Sequence, residues 1–185
     1  NSDTDVTKTG KYVNSPETPI YHKSRVLYGF DKARRSMMVE DQCIVVEGQM
    51  DLIMSHQAGV TNSVALSGTA LTPEQVTIIK RFTDHIVLAF DSDKAGIAAT
   101  KRSVEIAYEH DMPVAVVFLA QKDPADLVNE NPSAWKEAVQ NSQDYIDYRL
   151  ATLKGKVERL QDQVKIIHND VFLFIARMQG KIVQD

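Results

Sequence analysis

Ile86-Val87-Leu88-Ala89-Phe90, running into Asp91-Ser92-Asp93-Lys94-Ala95-Gly96, is the stretch that decides the fold. An unbroken apolar run with β-branched residues in the lead predicts a strand covered on both faces, as in a parallel sheet. The run stops at two aspartates separated by one serine. Asp91 to Gly96 reads as a loop, and Ile97 to Tyr108 reads as the helix that follows.

The same strand–loop–helix unit recurs on either side. Cys43-Ile44-Val45-Val46 is a strand, ended by Glu47-Gly48, with a helix predicted over about Met50 to Gln57. Ser63 to Leu66 is another short strand, and Ser67-Gly68-Thr69 is its loop. Thr72-Pro73-Glu74-Gln75 then opens a helix. Thr72 suits the cap, Pro73 the first helical position, and Gln75 completes a capping box. Ile79 and Phe82 supply its apolar face. Pro113 precedes a fourth strand over Val114 to Leu119, followed by a polar loop from Gln121 to Asp126. Asn131-Pro132 starts a helix through about Val139.

Strands alternating with helices predict an α/β fold, a mostly parallel sheet of about four strands flanked by helices. Residues 1–25 read as an irregular lead-in, with Asn14-Ser15-Pro16-Glu17-Thr18-Pro19 as turn chemistry, and Asp31 to Met38 as a short helix. Beyond Ser142 the strands cease. Tyr145, Tyr148, Leu150, Leu153, Val157, Leu160, Val164 and Ile167 recur at helical spacing. The expected division is 1–40 as lead-in from a preceding subdomain, 41–141 as the α/β domain and 142–185 as a helical segment.

At 185 residues and 43% hydrophobic, the chain can bury a core. A single cysteine, Cys43, excludes an internal disulfide framework and any cysteine-rich zinc site, and its apolar setting marks it as a core residue. No apolar run approaches the roughly 18 residues of a membrane span. Polar Asn1 to Thr9 gives no secretory signal, so a cytoplasmic location is expected. The net charge of −4 argues against a free-standing nucleic-acid binder with a basic face, but is compatible with carboxylates gathered around cations.

The carboxylates fall where that second possibility needs them. Ligands of an open parallel sheet bind beyond the carboxyl ends of its strands. The first strand ends at Glu47, with Asp51 one helical turn on; the third ends at Asp91 and Asp93; the fourth leads to Asp123 and Asp126. Each acid has an ordinary reading too. Asp91 could cap a helix starting near Ala95, Glu47 could be a solvated strand end, and Asp123 and Asp126 could be turn residues beside Pro124. Their joint placement on one sheet edge favours a site. Oxygen donors unaccompanied by histidine or cysteine suit Mg²⁺ or Mn²⁺ rather than zinc.

Val45-Val46-Glu47-Gly48-Gln49-Met50-Asp51 with Asp91-Ser92-Asp93-Lys94-Ala95-Gly96 resembles the toprim signature, a strand-end glutamate followed by an Asp-x-Asp loop. Lys11 to Thr18, His22-Lys23-Ser24-Arg25, Leu27-Tyr28-Gly29, Gly68 to Thr72 and Lys122-Asp123-Pro124 are similar to bacterial DnaG-type primases. The resemblance covers about Lys11 to Leu150. Gln49 stands where the family often has tyrosine. Asp123-Pro124-Ala125-Asp126 departs from a common Asp-Pro-Asp, leaving Ala125 in place of a carboxylate and Asp126 one residue further on.

The resemblance implies a toprim piece of a DNA primase core, making short RNA primers on a single-stranded DNA template from ribonucleoside triphosphates with two or more Mg²⁺ or Mn²⁺ ions. It implies a bacterial replisome location, and contact with the replicative helicase through a domain absent here; the zinc-binding domain and basic amino-terminal half of whole primases are absent too. Asp91 and Asp93 would be the principal ligands and Glu47 a ligand or the base that takes the hydroxyl proton. Asp51, Asp123 and Asp126 would be further ligands. Lys23, then Lys11 and Arg25, and Lys94 after the Asp-x-Asp loop, would meet phosphates or nucleic acid. Lys32, Arg34 and Arg35 read as a solvated helix face and Trp135 as a packing anchor. The five histidines lack metal-binding spacing. The competing expectations are another toprim enzyme (a nuclease or a topoisomerase piece) and a non-catalytic toprim-like module.

Overall fold

The computed structural model describes residues 15–66, 68, 70–117, 119 and 123–156. Lys11 and the helical pattern past residue 156 lie outside the described residues.

Among the described residues, five strands form one sheet: β1 (Cys43–Val46), β2 (Ser63–Ala65), β3 (Ile86–Ala89), β4 (Val114–Val116) and β5 (Gln143–Asp144), ordered β2-β1-β3-β4-β5. The first four are parallel, and β5 pairs antiparallel with β4. The helices are α1 (Phe30–Glu40), α2 (Gln49–Gln57), α3 (Pro73–Ile79), α4 (Lys94–Glu109), α5 (Pro124–Glu130), α6 (Pro132–Gln140) and α7 (Tyr145–Lys156). The expected α/β fold with a mostly parallel, helix-flanked sheet is observed.

Strand side chains alternate between two cores, as the pleat requires. Cys43, Val45, Ile86, Leu88, Val114 and Val116 face one core, closed by α1, α3, α4 and Tyr145. Ile44, Val46, Val87, Ala89 and Val117 face the other, closed by α2, α5 and α6. Both sides being dry explains why the strands read as continuous apolar runs. Burial in this dry setting pushes the Cys43 thiol well above its ordinary range.

The helix after β1 therefore covers one face and the helix after β3 covers the other. These neighbouring strands send their loops apart, leaving a crevice at their carboxyl ends, the switch point at which open α/β sheets bind ligands.

Local chemistry explains most boundaries. Thr72 caps α3 through its side chain, which accepts from Gln75 N–H at 3.2 Å, while Gln75 Oε1 accepts from Thr72 N–H at 3.0 Å. The predicted capping box is thus present. The helix ends at Ile79, so Phe82 lies past it and stacks edge-on against Phe30, ring centres 5.1 Å apart. Trp135 is fully buried and donates from Nε1 to Ser55 Oγ at 2.9 Å.

Three further features differ from the sequence expectation. The fourth strand stops at Val116. Residues 124–130, the first three of them expected in a polar loop, form α5, with Asp123 as cap and Pro124 at the first position. The exposed pair Gln143–Asp144 adds β5, and Tyr145 behind it is buried in the core, so the start of the expected helical segment packs on the sheet. In the segment expected as lead-in, α1 contributes Ala33 and Met37 to the same core as the strands, with Lys32, Arg34 and Arg35 exposed as expected.

The lead-in is held to the sheet by backbone. Tyr28 and Ala65 exchange both backbone hydrogen bonds at 2.9 and 3.0 Å. Gly29 follows at φ +80°, with a Leu52 methyl where a side chain would stand. Buried Gln75 donates from Nε2 to the carbonyls of Lys23 (3.3 Å) and Val26 (2.8 Å), and Thr72 Oγ1 donates to that of Ser24 (2.6 Å).

Candidate functional site

Glu47 leaves β1 and Asp91 follows β3 on opposite sides of the crevice. Glu47 Oε1 accepts the backbone N–H of Asp91 at 3.1 Å, tying the two strand ends together across 44 residues of sequence. Gly96, buried in the first turn of α4, permits this approach. A Cβ there would stand 2.8 Å from Glu47 Oε1 and closer still to the Asp91 carbonyl oxygen.

Asp51 is buried and clamped at both oxygens. Oδ2 accepts Gly48 N–H at 3.0 Å, closing the start of α2, and Oδ1 accepts Ala125 N–H at 3.2 Å in the first turn of α5. Asp93 rather than Asp91 caps α4: its Oδ1 accepts Gly96 N–H at 2.8 Å, and the helix begins at Lys94, earlier than expected. Asp123 caps α5, its Oδ1 accepting Asp126 N–H at 2.7 Å. The carboxylates thus stand at the starts of three helices, where the backbone dipole favours negative charge.

The acids feel one another. Partial burial raises the proton affinity of Glu47, against the Asp91 N–H; Asp91, Asp93 and Asp51 raise it further. Burial likewise pushes Asp51 up to about 6, opposed by the Ala125 N–H and assisted by Asp123 and Asp91. Five of the six predicted acids therefore share one field at the sheet edge. Asp126 is exposed in the first turn of α5, where its backbone N–H serves the Asp123 cap.

Among the described residues, no three His, Cys, Asp or Glu side chains close around a point that could hold an ion. The caps explain this, since Asp51, Asp93 and Asp123 each turn carboxylate oxygen toward backbone N–H groups. In chemical kind the donors fit a hard cation: all are carboxylate oxygens, and the mutual repulsion that raises Glu47 and Asp51 is what a divalent charge would relieve.

The described basic candidates fall in two places along the chain. Lys23 and Arg25 lie in a 3-10 turn against the start of α3, where Lys23 N–H donates to Glu17 Oε1 at 2.8 Å. Lys94 is the first residue of α4, exposed and next to Asp93. Sequence reasoning missed the Gln75 bridge to the lead-in and the double clamp on Asp51. The local signal for the first was the capping box; for the second it was Asp123-Pro124, a cap-and-proline helix start.

Comparison with known proteins agrees with this geometry. Residues 44–128 match the Toprim-like family, and residues 3–34 match the family described as DNA primase catalytic core, N-terminal domain. A DNA primase of Clostridium acetobutylicum is 41% identical over 142 residues, covering 76% of this chain and 24% of that protein. The chain therefore spans about a quarter of that relative's length. The Aquifex aeolicus primase structure of zinc-binding and RNA polymerase domains superposes with a TM-score of 0.80 at 25% identity, over 95% of this chain and 42% of that one. A DnaG primase catalytic domain bound to single-stranded DNA gives 0.79 at 27% identity, over 95% of this chain and 57% of that one. With a primase-core lead-in and a toprim region matched in order along one chain, and the strand-end acids of the toprim signature gathered at the sheet's switch point, this chain belongs to the bacterial DnaG-type DNA primase family, of which it carries the toprim part of the catalytic core.

Proposed function

We propose that this chain supplies the acidic, metal-binding edge at which a primase joins ribonucleotides into a short primer on single-stranded DNA. The observation that carries the reading is the shared field of Glu47, Asp51, Asp91, Asp93 and Asp123, drawn from three strand ends onto one crevice. When bound there, two or more Mg²⁺ or Mn²⁺ ions would supply charge neutralisation at the reacting phosphate and acidify the attacking hydroxyl. Asp91 and Asp93 are the principal ligands on this reading, with Asp51, Asp123 and Asp126 as further candidates.

In the transfer itself the primer 3′-hydroxyl oxygen bonds to the α-phosphorus of the incoming triphosphate, and the bond to the pyrophosphate oxygen breaks. Glu47 is a further ligand or the acceptor of the hydroxyl proton. Its raised proton affinity suits the second role, since a base must hold the proton it takes. Lys94, beside Asp93, and the lead-in cations Lys11, Lys23 and Arg25 meet phosphates of the triphosphate or of the nucleic-acid strands. Residues 1–40 serve as the join to a preceding subdomain and 41–141 as the toprim unit. Template grip requires basic surface beyond this acidic segment, so the chain alone polymerises weakly.

Calorimetric titration of Mn²⁺ into the wild type and into Asp91→Ala/Asp93→Ala tests the metal centre. The reading expects binding in the first and its loss in the second. Equal binding in both, or none in either, would leave Asp93 as a helix cap and Asp91 as a loop residue without a metal role.

A further inference from the structure

Two exposed apolar side chains on α1 each stand one helical turn past an arginine. Arg34 and Met38 are four residues apart, as are Arg35 and Val39, so each pair shares a face. Met38 is 55% exposed and Val39 75%. Lys32, three residues before Arg35, extends the second row toward the start of the helix. Among the described residues, neither Arg34 nor Arg35 forms an ion pair, and Lys32 meets only Asp31, at 3.6 Å with both side chains largely in solvent.

The row leads into a cleft of about 410 Å³ between the start of α1 and α2. Tyr28, Leu52, Ile53 and His56 line it beside Asp31 and Lys32. Tyr28 and Ile53 are both exposed, so the cleft offers apolar surface to an incoming side chain.

The helix is fixed at both ends and from beneath. Tyr28 is bonded to Ala65 ahead of it, and Phe30 stacks on Phe82. Ala33 and Met37 are buried in the core. Asp41, just past the helix, accepts Thr83 Oγ1 at 3.0 Å and His85 Nδ1 at 3.1 Å. A surface held in this way loses little freedom when a partner settles on it. The helix runs from the carboxyl end of β2 back to the start of β1. Met38 and Val39 therefore lie toward the amino ends of the strands, away from the acidic crevice.

Along this face the order is apolar cleft, cations, apolar end. The forked donors of arginine match carboxylates. A phosphate backbone would meet the arginines too, but it would leave Tyr28, Ile53, Met38 and Val39 uncovered. Aromatic residues, methionine and arginine together are the composition that protein partners cover. From Lys32 to Val39 the rise is about 10 Å, a span that about three residues of extended chain match. Asp31 repels an acid at the cleft itself, so a partner's carboxylates belong over Arg34 and Arg35.

We propose that α1 and the adjoining cleft dock an acidic peptide segment of a partner protein. One apolar residue enters the cleft, carboxylates lie on Arg34 and Arg35, and a second apolar residue about three positions away covers Met38 and Val39. The proposal stands independently of the metal reading.

The test is fluorescence anisotropy of the full 185-residue chain with a labelled peptide carrying Leu-Asp-Glu-Phe. The same peptide with Leu-Lys-Lys-Phe and a labelled single-stranded oligonucleotide are run beside it. Wild type should bind the acidic peptide, and the lysine peptide at least about tenfold more weakly. Arg34→Glu/Arg35→Glu and Ile53→Asp should each weaken the acidic peptide about tenfold. All three positions are exposed, so the variants should fold, and a circular dichroism melt verifies it. Asp91→Asn/Asp93→Asn should bind the peptide as wild type does, whatever it does to Mn²⁺. No peptide binding by the wild type, equal binding of the two peptides, or undiminished binding in both α1 and α2 variants would overturn the proposal. Loss of oligonucleotide binding in Arg34→Glu/Arg35→Glu with peptide binding retained would overturn it as well, by assigning the arginines to nucleic acid.

Discussion

Replacing Gly96 by alanine separates two opposed effects. By helix propensity alone the change should stabilise α4 by up to about 1 kcal/mol. The structure predicts the reverse. The new methyl would stand 2.8 Å from both Glu47 Oε1 and the Asp91 carbonyl carbon, about 0.6 Å inside the 3.4 Å at which ordinary contact begins, and the Asp91 carbonyl oxygen is nearer still. A flexible surface side chain could swing aside, but the Asp91 carbonyl is backbone at the end of a central strand. Relief requires the first turn of α4 to tilt away or the Asp91 loop to shift, at the 1–3 kcal/mol usual for overpacking. Net of propensity, Gly96→Ala should destabilise by about 1–2 kcal/mol. Because the displaced groups are Asp91 and Glu47, Mn²⁺ affinity should also fall at least tenfold. Urea denaturation followed by circular dichroism reads the first effect and calorimetry the second. A variant as stable as wild type or more so, with Mn²⁺ affinity intact, would show that the close packing of α4 on the crevice is not required.

Asp51 makes stability pH-dependent. Its folded-state value of about 6 lies above the ordinary carboxylate range, so its contribution is fully present below about pH 4 and lost as pH rises through 6. The unfolding free energy of wild type relative to Asp51→Asn should therefore fall by about 2–3 kcal/mol between pH 4 and pH 8 in metal-free buffer; a difference that is flat or grows with pH contradicts this. Ser55 Oγ, which accepts from the Trp135 indole, also shares a 2.7 Å hydrogen bond with Ser63 Oγ; Trp135→Phe removes the indole donor and opens a void, so it should cost about 2–3 kcal/mol in chemical denaturation, and an unchanged midpoint would count against this buried chain. Gln75→Leu strips the Lys23 and Val26 carbonyls of their shared donor, so trypsin should cut at Lys23 and Arg25 about tenfold faster, while cleavage at the wild-type rate would mean that the lead-in is held without Gln75.

What the sequence shows depends on how local each determinant is. Strands dry on both faces announce themselves as apolar runs, so β1 is legible in full and β2, β3 and β4 are legible apart from their last residues. The α3 start was legible because Thr72, Pro73 and Gln75 settle it within one turn. By contrast, β5 is two exposed polar residues paired with β4, and nothing in Gln143-Asp144 marks it. Asp-Pro serves equally as a turn and as a helix start, so α5 was hidden behind the more familiar reading of Asp123-Pro124. The exchange of capping roles between Asp91 and Asp93 turns on loop length. The clamp on Asp51 depends on an N–H 74 residues away, supplied by a helix that the sequence did not reveal.

That last dependence bears on how the site is built. Carboxylates crowded on one edge repel, and among the described residues they do not close around an ion. Four of the five are answered by backbone: Asp91 N–H for Glu47, Gly48 and Ala125 N–H for Asp51, Gly96 N–H for Asp93, Asp126 N–H for Asp123. Helix starts thus do part of the work a cation would do, and the edge can fold before metal arrives. The division among the acids follows. Exposed Asp93 and half-buried Asp123 each hold a cap from which an oxygen can turn to a ligand at the modest cost of a cap, about 1 kcal/mol. Asp51 is buried and held at both oxygens, so recruiting it would open the joint between α2 and α5. On the proposed reading a metal ion would take Asp91 and Asp93 first, and Asp51 would act chiefly by fixing where Glu47 and Asp123 stand.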